Sequence, residues 1–287
     1  MLEYFVPENL GEALNALSAG PMDILAGGTD YYPGLAGQPA GRSILDISRL
    51  PELNGVRRTA EHGWRIGACT RWRDIARAGL PPAFDGLAEA ALTVGSVQIQ
   101  NTGTIAGNVC NASPAADGVP PLLTLDAEVE IRSAGSERVL PLSEFITGPR
   151  EVALAEGEMV TALIVPSQAN SLKSAFEKLG ARRYLVISIA MVAVAARVED
   201  GRLRDLRIAV GACSPVARRL TGLERALAGT AVADLSGLEV VTGRHLDALT
   251  PLDDIRGTGK YRLSAVPELV TRSVKRLIEE PVVLADG

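Results

Sequence analysis

Apolar residues near the N-terminus recur at the spacing of one helical face. Leu10, Leu14 and Leu17 are three or four positions apart, and Gly20 stands where a C-terminal cap belongs. This pattern predicts a helix over residues 7–19. The apolar run in DILAGGTDYYPGLAG then ends at a Gly-Gly turn, and RSILDISRL and WRIGACT show the branched or alternating apolar pattern of strands. We therefore expect the first third of the chain to mix strands and helices.

The middle of the chain carries clearer strand and turn signals. TRWRDIARA predicts a helix capped by Thr70. In AEVEIRSAGSERVLPLSEF, Val129 and Ile131 alternate with charges and residues 133–136 supply turn chemistry, which predicts a hairpin. MVTALIVP predicts a strand that Pro166 ends. The polar segment SQANSLKS predicts a linker, so we expect a first domain over residues 1–169 and a second over 170–287.

The second domain has the pattern of an antiparallel sheet with helices. ISIAMVAVAARVEDGRLRDLRIAVGAC predicts two strands joined at Asp200-Gly201, a strong hairpin signal. RRLTGLERALAG and ELVTRSVKRLIEE predict helices, and RGTGKY predicts a loop that leads into the last one. RGTGKY lacks the first glycine of a phosphate loop and has Tyr261 where Ser or Thr would bind magnesium. The fold class expected is α+β.

One long segment, QIQNTGTIAGNVCNASPAADGVPPLL, is almost without charge. Its ionisable residues are Cys110 and Asp117 alone. A surface loop of this length normally carries Lys or Glu, and a core strand carries more Val, Ile and Phe. We therefore expect the segment to lie against a ligand.

Two glycine turns are the candidates for that contact: residues 26–30 (AGGTD) and residues 104–108 (TIAGN). Successive backbone N–H groups in such turns form a concave site that binds anions without Lys or Arg. Taken singly, either turn is more simply explained as ordinary turn chemistry. Asp117, nine residues after Asn108, either accepts hydrogen bonds from a ribose, as acidic residues do in dinucleotide sites, or caps a turn before Pro120.

Composition excludes several other functions. The chain has 287 residues, 47% of them hydrophobic, a net charge of −5, and no basic stripe of the kind that binds nucleic acid. No run approaches the roughly 20 apolar residues of a membrane helix, and MLEYFVPENL does not resemble an export signal, so we expect a cytoplasmic protein. The three cysteines, Cys69, Cys110 and Cys213, are far apart, odd in number and without a C-x-x-C pair, which supports neither a disulfide framework nor an iron–sulfur cluster. His62 and His245 lie outside both glycine turns and are interpreted as surface or hairpin residues.

ILAGGTDYYPGL, NTGTIAGNVCNASPAAD and VGACSPVARRLTGLERAL together resemble the FAD-binding medium subunit of molybdenum hydroxylases, the group that includes the carbon monoxide dehydrogenase medium subunit and the flavin portion of xanthine dehydrogenase. The resemblance spans nearly the whole chain. It implies a two-lobed FAD-binding domain of the vanillyl-alcohol-oxidase/PCMH type, followed by a small C-terminal antiparallel sheet with helices.

The resemblance also implies the residues of a non-covalent FAD site. The two glycine turns would hold the diphosphate, Asp117 matches an acidic position of the family, and three further positions fall near flavin or adenine contacts. The implied set is Ile24, Leu25, Ala26, Gly27, Gly28, Thr29, Asp30, Tyr31, Val94, Thr104, Ile105, Ala106, Gly107, Asn108, Asp117, Val160 and Lys178. Ala106 departs from the family, which has glycine there; the methyl group is harmless unless the residue needs positive φ.

The function implied is electron transfer within a complex. A molybdenum subunit would oxidise the substrate, a small subunit with [2Fe-2S] clusters would relay electrons, and this chain would pass them to NAD, a quinone or oxygen. Two alternatives stay open. The first is a self-sufficient flavin oxidase, which would need a catalytic base and a larger substrate domain. The second is a scaffold subunit that has lost flavin, for which the substitution at Ala106 is the one indication in the sequence.

Overall fold

The computed structural model describes residues 2–59, 63–183, 185–237 and 241–278, and His62 lies outside them. The α-helices of this part are α1 (Leu10–Ala19), α2 (Tyr31–Gly34), α3 (Trp72–Ala76), α4 (Asp85–Thr93), α5 (Val97–Thr102), α6 (Ile105–Cys110), α7 (Val119–Thr124), α8 (Leu142–Phe145), α9 (Thr221–Leu227) and α10 (Gly259–Ile278). The strands are β1 (Tyr4–Phe5), β2 (Met22–Leu25), β3 (Ser43–Asp46), β4 (Val56–Thr59), β5 (Gly63–Gly67), β6 (Glu128–Arg132), β7 (Glu137–Pro141), β8 (Ile146–Gly148), β9 (Glu151–Val152), β10 (Met159–Val165), β11 (Lys173–Leu179), β12 (Ala190–Glu199), β13 (Arg202–Gly211) and β14 (Arg218–Arg219).

The N-terminal lobe is a three-stranded parallel sheet in the order β1-β3-β2, with α1 packed on it. Asn9 begins the helix, since its side chain accepts a hydrogen bond from the backbone N–H of Glu12. The predicted apolar face is confirmed, with Ala13, Leu14 and Leu17 buried. Gly20 ends the helix as predicted, but in extended backbone with φ 164°.

The second lobe is a five-stranded antiparallel sheet in the order β4-β5-β10-β6-β7. The hairpin predicted from alternating charges is confirmed as β6 and β7, which Ser133 closes by donating its backbone N–H to the carbonyl of Ser136. All residues of the central strand β10 are buried; Val160, Leu163 and Val165 pack in the main core, and Met159 packs in the core of the N-terminal lobe.

The uncharged segment, which the sequence predicts to lie against a ligand, forms helices α5, α6 and α7. Ile105, Val109 and Leu122 are fully buried in the main core, so burial accounts for much of the missing charge. The predicted helix cap at Thr70 was wrong. Helix α3 begins after Arg71 without a side-chain cap, and the Thr70 hydroxyl instead donates to the carbonyl of Gly55 at 3.1 Å.

The C-terminal region is a four-stranded antiparallel sheet in the order β11-β12-β13-β14. The hairpin predicted at Asp200-Gly201 is confirmed: both residues have positive φ, 51° and 66°, between β12 and β13, as a type I′ turn requires. The first seven residues of β12 are buried because α10 packs on one face of the sheet and α4 and α7 on the other. The α+β class is thus confirmed.

Two local predictions in this region were wrong. The supposed linker SQANSLKS forms a 3₁₀ helix at Ser167–Ser171 and then the start of β11. Helix α10 begins at Gly259, so the end of RGTGKY belongs to the helix and not to the loop before it. In both places tertiary packing orders a polar stretch that lacks a strong periodic pattern. The domain boundary near residue 170 stays a prediction.

Candidate cofactor site

A cavity of about 520 Å³ lies between the N-terminal lobe and the helices of the second lobe. This volume is in the range of small-molecule and cofactor sites. Most of the residues implied by the family resemblance line it: Ile24, Leu25, Ala26, Gly27, Gly28, Thr29, Asp30, Tyr31, Val94, Thr104, Ala106, Gly107, Asn108 and Val160. Ile105, Asp117 and Lys178 do not belong to this lining.

The loop after β2 passes very close to the chain between α5 and α6. A Cβ atom added to Gly27 would lie 2.1 Å from the carbonyl oxygen of Thr102 and 2.9 Å from the Cα of Gly103. Gly28 has φ +69°, and a Cβ added there would meet the ring of Tyr32. A side chain is therefore sterically disfavoured at both positions. Among the described residues, none accepts a hydrogen bond from the backbone N–H groups of Gly27, Gly28, Thr29 or Asp30. This loop therefore offers a row of free donors to the cavity.

The second glycine segment is the first turn of helix α6, and its backbone N–H groups from Ile105 to Asn108 are already used, that of Ala106 by the carbonyl of Ala68 at 3.4 Å. Ile105 donates to the carbonyl of Thr70 at 3.0 Å, Gly107 donates to the Thr104 hydroxyl at 3.1 Å, and Asn108 donates to the carbonyl of Thr104 at 3.0 Å. In this segment Thr104 alone keeps a backbone N–H without an acceptor among the described residues, so the two turns are not equivalent and the loop after β2 offers more free donors. Ala106 lies in this helix without positive φ, so its methyl group causes no backbone strain.

Helix α6 and the residue that caps its C-terminus instead present two asparagine side chains to the cavity. Asn108 Oδ1 accepts from the backbone N–H of Gly118 at 3.3 Å, and Asn111 Oδ1 accepts from the guanidinium of Arg150. No described residue accepts from either Nδ2 atom, so both NH₂ groups are free to donate, while each Oδ1 already accepts one hydrogen bond. Sequence reasoning missed Asn111, although its position three residues after Asn108 places both on one face of a helix.

Asp117 and Lys178 come together beside the cavity and bind each other. Lys178 Nζ lies 2.5 Å from Asp117 Oδ2 and donates to the carbonyl of Thr93 at 3.1 Å, and the Ser188 hydroxyl donates to Asp117 Oδ1 at 2.5 Å. Burial raises the pKa of Asp117 above its ordinary value, while Lys178 and Ser188 oppose the shift. The ion pair joins the loop before α7 to strand β11. A contact between Asp117 and the ribose of a cofactor stays a prediction.

The rest of the lining is apolar. The lining residues that the sequence did not suggest include Leu35, Ile47, Trp72, Ile99, Leu154 and Met159. They come from six separate segments, which no local pattern connects. Cys110 also lines the cavity, and burial raises the pKa of its thiol to about 12, so the thiol stays protonated at neutral pH. Neither Lys, Arg nor His occurs among the described lining residues.

The turn before β10 sets the position of Met159 and Val160 in the cavity wall. Glu158 accepts from Arg138 at 2.6 Å and 2.7 Å and from the backbone N–H of Ala155 at 2.8 Å. These bonds, chiefly those from Arg138, lower the pKa of Glu158 below its ordinary value of 4.5.

Replacing Glu158 with glutamine should lower the free energy of unfolding at pH 7 by about 1.5 kcal/mol, the low end for hydrogen bonds to charged groups. Because the pKa of Glu158 is lowered in the folded state, its contribution is complete above the ordinary value of 4.5 and is lost as the pH falls through the folded-state value. Denaturant titrations of both proteins at pH 7 and at pH 3 would test this. A difference that stays constant on acidification would contradict it.

Two other kinds of site receive no support from the described residues. In them, no group of three or more His, Cys, Asp or Glu side chains is placed to hold a metal ion. No helix in the described ranges combines the length and apolar character needed to cross a membrane.

Comparison with known proteins gives the family. Residues 1–168 match the family described as the FAD binding domain in molybdopterin dehydrogenase, and residues 174–277 match the CO dehydrogenase flavoprotein C-terminal domain. The xanthine dehydrogenase FAD-binding subunit of Escherichia coli O157:H7 is 31% identical over 99% of this chain and 97% of its own length. The glyceraldehyde dehydrogenase medium chain of Sulfolobus acidocaldarius is 31% identical over 96% of this chain and 97% of its own.

A solved structure agrees with these sequence matches. Carbon monoxide dehydrogenase from Hydrogenophaga pseudoflava, in a form that lacks the Mo-pyranopterin moiety of the molybdenum cofactor, aligns with a TM-score of 0.82 and 28% identity over 96% of each chain. One family model covers more than half of this chain, and the relatives match along almost all of it. The chain therefore belongs to the family of FAD-binding subunits of molybdopterin dehydrogenases.

Proposed function

We propose that the chain holds FAD in the cavity described above and passes electrons from the [2Fe-2S] clusters of a partner subunit to an external acceptor, as one part of a molybdenum hydroxylase. The observation that carries the proposal is the row of free backbone N–H donors from Gly27 to Asp30 at the wall of a cavity without cationic side chains.

The donors fit the diphosphate of FAD. Free N–H groups in a glycine turn bind phosphate oxygens without a positive side chain, and the Nδ2 atoms of Asn108 and Asn111 add neutral donors. A side chain at Gly27 would fill the space in which the loop meets Gly103. The loop after β2 and the two asparagines are therefore the groups that would hold the diphosphate.

The apolar walls fit the remainder of the cofactor. Leu35, Ile99 and Val160 line the cavity and would exclude water from a bound ring system. When bound, FAD supplies a redox centre that exchanges electrons with one-electron and two-electron partners. The chain itself contributes binding and orientation.

Apart from the Asp30 carboxylate in the loop after β2, the described lining residues offer no side chain that would act as a base on an organic substrate. The Cys110 thiol has a pKa of about 12 and is not a base at neutral pH. His245 lies away from the cavity, where its Nδ1 accepts from the backbone N–H of Thr242. These features favour a subunit that exchanges electrons over a self-sufficient oxidase. The relative from Sulfolobus acidocaldarius is named as a medium chain, which supports assembly with a molybdenum large subunit and a [2Fe-2S] small subunit.

Purification from the native host should test the assembly. We expect this chain to co-purify with a molybdenum subunit and an iron–sulfur subunit, and its flavin to bleach when the complex is mixed anaerobically with substrate. The isolated chain should hold FAD but should not bleach with aldehydes, alcohols or purines. Stopped-flow spectra of the reduced complex mixed with NAD, a quinone or oxygen would identify the acceptor. An isolated chain that reduces its own flavin with one of these substrates would contradict the proposal.

A further inference from the structure

An arginine outside the cavity holds one of the two asparagine side chains in its wall. Arg150 lies in the turn between β8 and β9, and its side chain reaches the C-terminal end of helix α6. One guanidinium nitrogen, Nη1, donates to Asn111 Oδ1 and also to the Asn111 carbonyl at 3.2 Å. The backbone N–H of Arg150 donates to the carbonyl of Ala112 at 2.9 Å. Three contacts therefore join this turn to the end of the helix.

The two residues joined by the backbone hydrogen bond, Arg150 and Ala112, both have unfavourable backbone conformations. Arg150 has φ +65° and Ala112 has φ +45°, a region that residues with a side chain occupy only at an energetic cost. Pro149 precedes Arg150, and proline followed by a left-handed residue is the pattern of a type II turn, which favours glycine at the second position. The turn by itself would be more stable with glycine. The contacts of the arginine side chain must therefore compensate for the backbone strain at this position.

The contact determines which polar atom Asn111 can offer. An asparagine amide can present its oxygen or its NH₂ group to a ligand, and the two differ in the charge they attract. Because Oδ1 accepts from Arg150, the amide is held with its oxygen towards the guanidinium and its Nδ2 donor unused, and Asn111 lines the cavity. Arg150 itself is absent from the lining. Its effect on a ligand therefore passes through Asn111.

We propose that Arg150 is a positioning residue of the cofactor site: it holds the amide of Asn111 in the orientation that donates a hydrogen bond to an anionic group in the cavity. The inference rests on the proposed function, since that function supplies the anion, the diphosphate of FAD. It adds a residue that acts from outside the cavity and that the glycine motifs do not contain.

A double-mutant cycle on the full-length chain, with FAD removed and then titrated back, tests this. Arg150→Gly should weaken FAD binding by about tenfold, the loss expected for one hydrogen bond to a charged group. Asn111→Ala should weaken it by a similar factor. Arg150→Gly in the Asn111→Ala background should cause no further loss, because the amide through which the arginine acts is gone.

Thermal unfolding of the FAD-free variants separates this role from a purely structural one. Arg150→Gly removes two hydrogen bonds but also relieves the left-handed strain, so the unfolding midpoint should change by less than about 3 °C. Arg202→Ala is the matched control. This arginine begins β13 beside a tight turn, is exposed, and donates to the carbonyl of Gly229 at 2.9 Å, far in sequence from the cavity segments. It should leave FAD binding unchanged.

Three results would overturn the inference while the proposed function stands: unchanged FAD affinity in Arg150→Gly, an equal loss in the Asn111→Ala background, or an equal loss in Arg202→Ala. Equal losses in both backgrounds would mean that the arginine acts by its own charge, and such an effect would weaken with added salt. Failure of the unmodified chain to bind FAD would instead overturn the proposed function, and the inference with it.

Discussion

Replacing Gly27 with alanine should reduce FAD affinity by at least about 100-fold, the loss expected when two hydrogen bonds to a charged group, each of about 1.5 kcal/mol, are broken. The added Cβ would lie 2.1 Å from the carbonyl oxygen of Thr102. This is a clash with backbone, which no change of side-chain conformation can relieve. The loop after β2 must then move away from the segment at Gly103, together with the free N–H groups of residues 27–30. The flavin-to-protein absorbance ratio after purification, followed by FAD titration, measures the effect.

Gly41→Ala is the control for this experiment. A Cβ at Gly41 meets no atom within 4 Å, and the residue has no positive φ, so flavin retention should not change. If Gly27→Ala fails to fold, Asn108→Asp tests the same site without a steric clash. The carboxylate can still accept from Gly118 but places negative charge where a donor was, and FAD affinity should fall by about tenfold or more. Wild-type flavin content in both variants would refute the proposed location of the diphosphate.

Replacing Lys178 with methionine should lower the free energy of unfolding of the FAD-free chain by about 3–5 kcal/mol, the usual cost of removing one partner of a buried ion pair. Asp117 is 6% exposed and would keep an uncompensated negative charge among buried groups. The double variant Lys178→Met/Asp117→Asn should recover most of the loss, because the remaining side chains are neutral. Denaturant unfolding at pH 7 gives the free energies.

The dependence on pH gives an independent check of the ion pair. Burial already raises the pKa of Asp117, and loss of the opposing ammonium raises it further. When the pKa of a carboxyl group is higher in the folded state than in the unfolded state, the folded state takes up the proton first. Lowering the pH towards the pKa of the unfolded state therefore stabilises the folded state. The deficit of Lys178→Met should therefore shrink between pH 7 and pH 4. A deficit that is independent of pH would show that Lys178 acts by packing its methylene chain and not through Asp117.

The same variants separate two roles of Asp117. If Asp117 contacts the cofactor, as the family resemblance implies, Asp117→Asn lowers FAD affinity by about 1.5–3 kcal/mol, the value for a hydrogen bond to a charged group. If its role is the ion pair, the main effect is on the stability of the FAD-free chain, and the double variant binds FAD normally once folded. FAD titration of the double variant distinguishes the two.

Local sequence patterns determined much of the secondary structure. The hairpins at residues 128–141 and 190–211 were predicted because alternation and turn chemistry act between neighbours in the chain, and Asp200-Gly201 has the backbone freedom that a tight turn needs. The buried face of α1 followed from spacing alone. Thr70 and Gly259 were misassigned because a hydrogen bond to Gly55 and packing of α10 on the sheet, both distant in sequence, decided their structure.

The candidate site divides in the same way. The sequence by itself determined that glycine occupies positions 27 and 28, that charge is missing around residues 98–123, and that the motifs resemble those of FAD-binding subunits. Only the tertiary structure decided which backbone N–H groups are free. In the first turn of α6 they are used by Ala68, Thr70 and Thr104, whereas those of residues 27–30 have no acceptor in the part of the chain that the structure describes. It also decided that Asp117 meets Lys178 and that Arg150 meets Asn111. Hydrogen bonds between distant segments form only after the chain has packed, and no local pattern records which donors they will use.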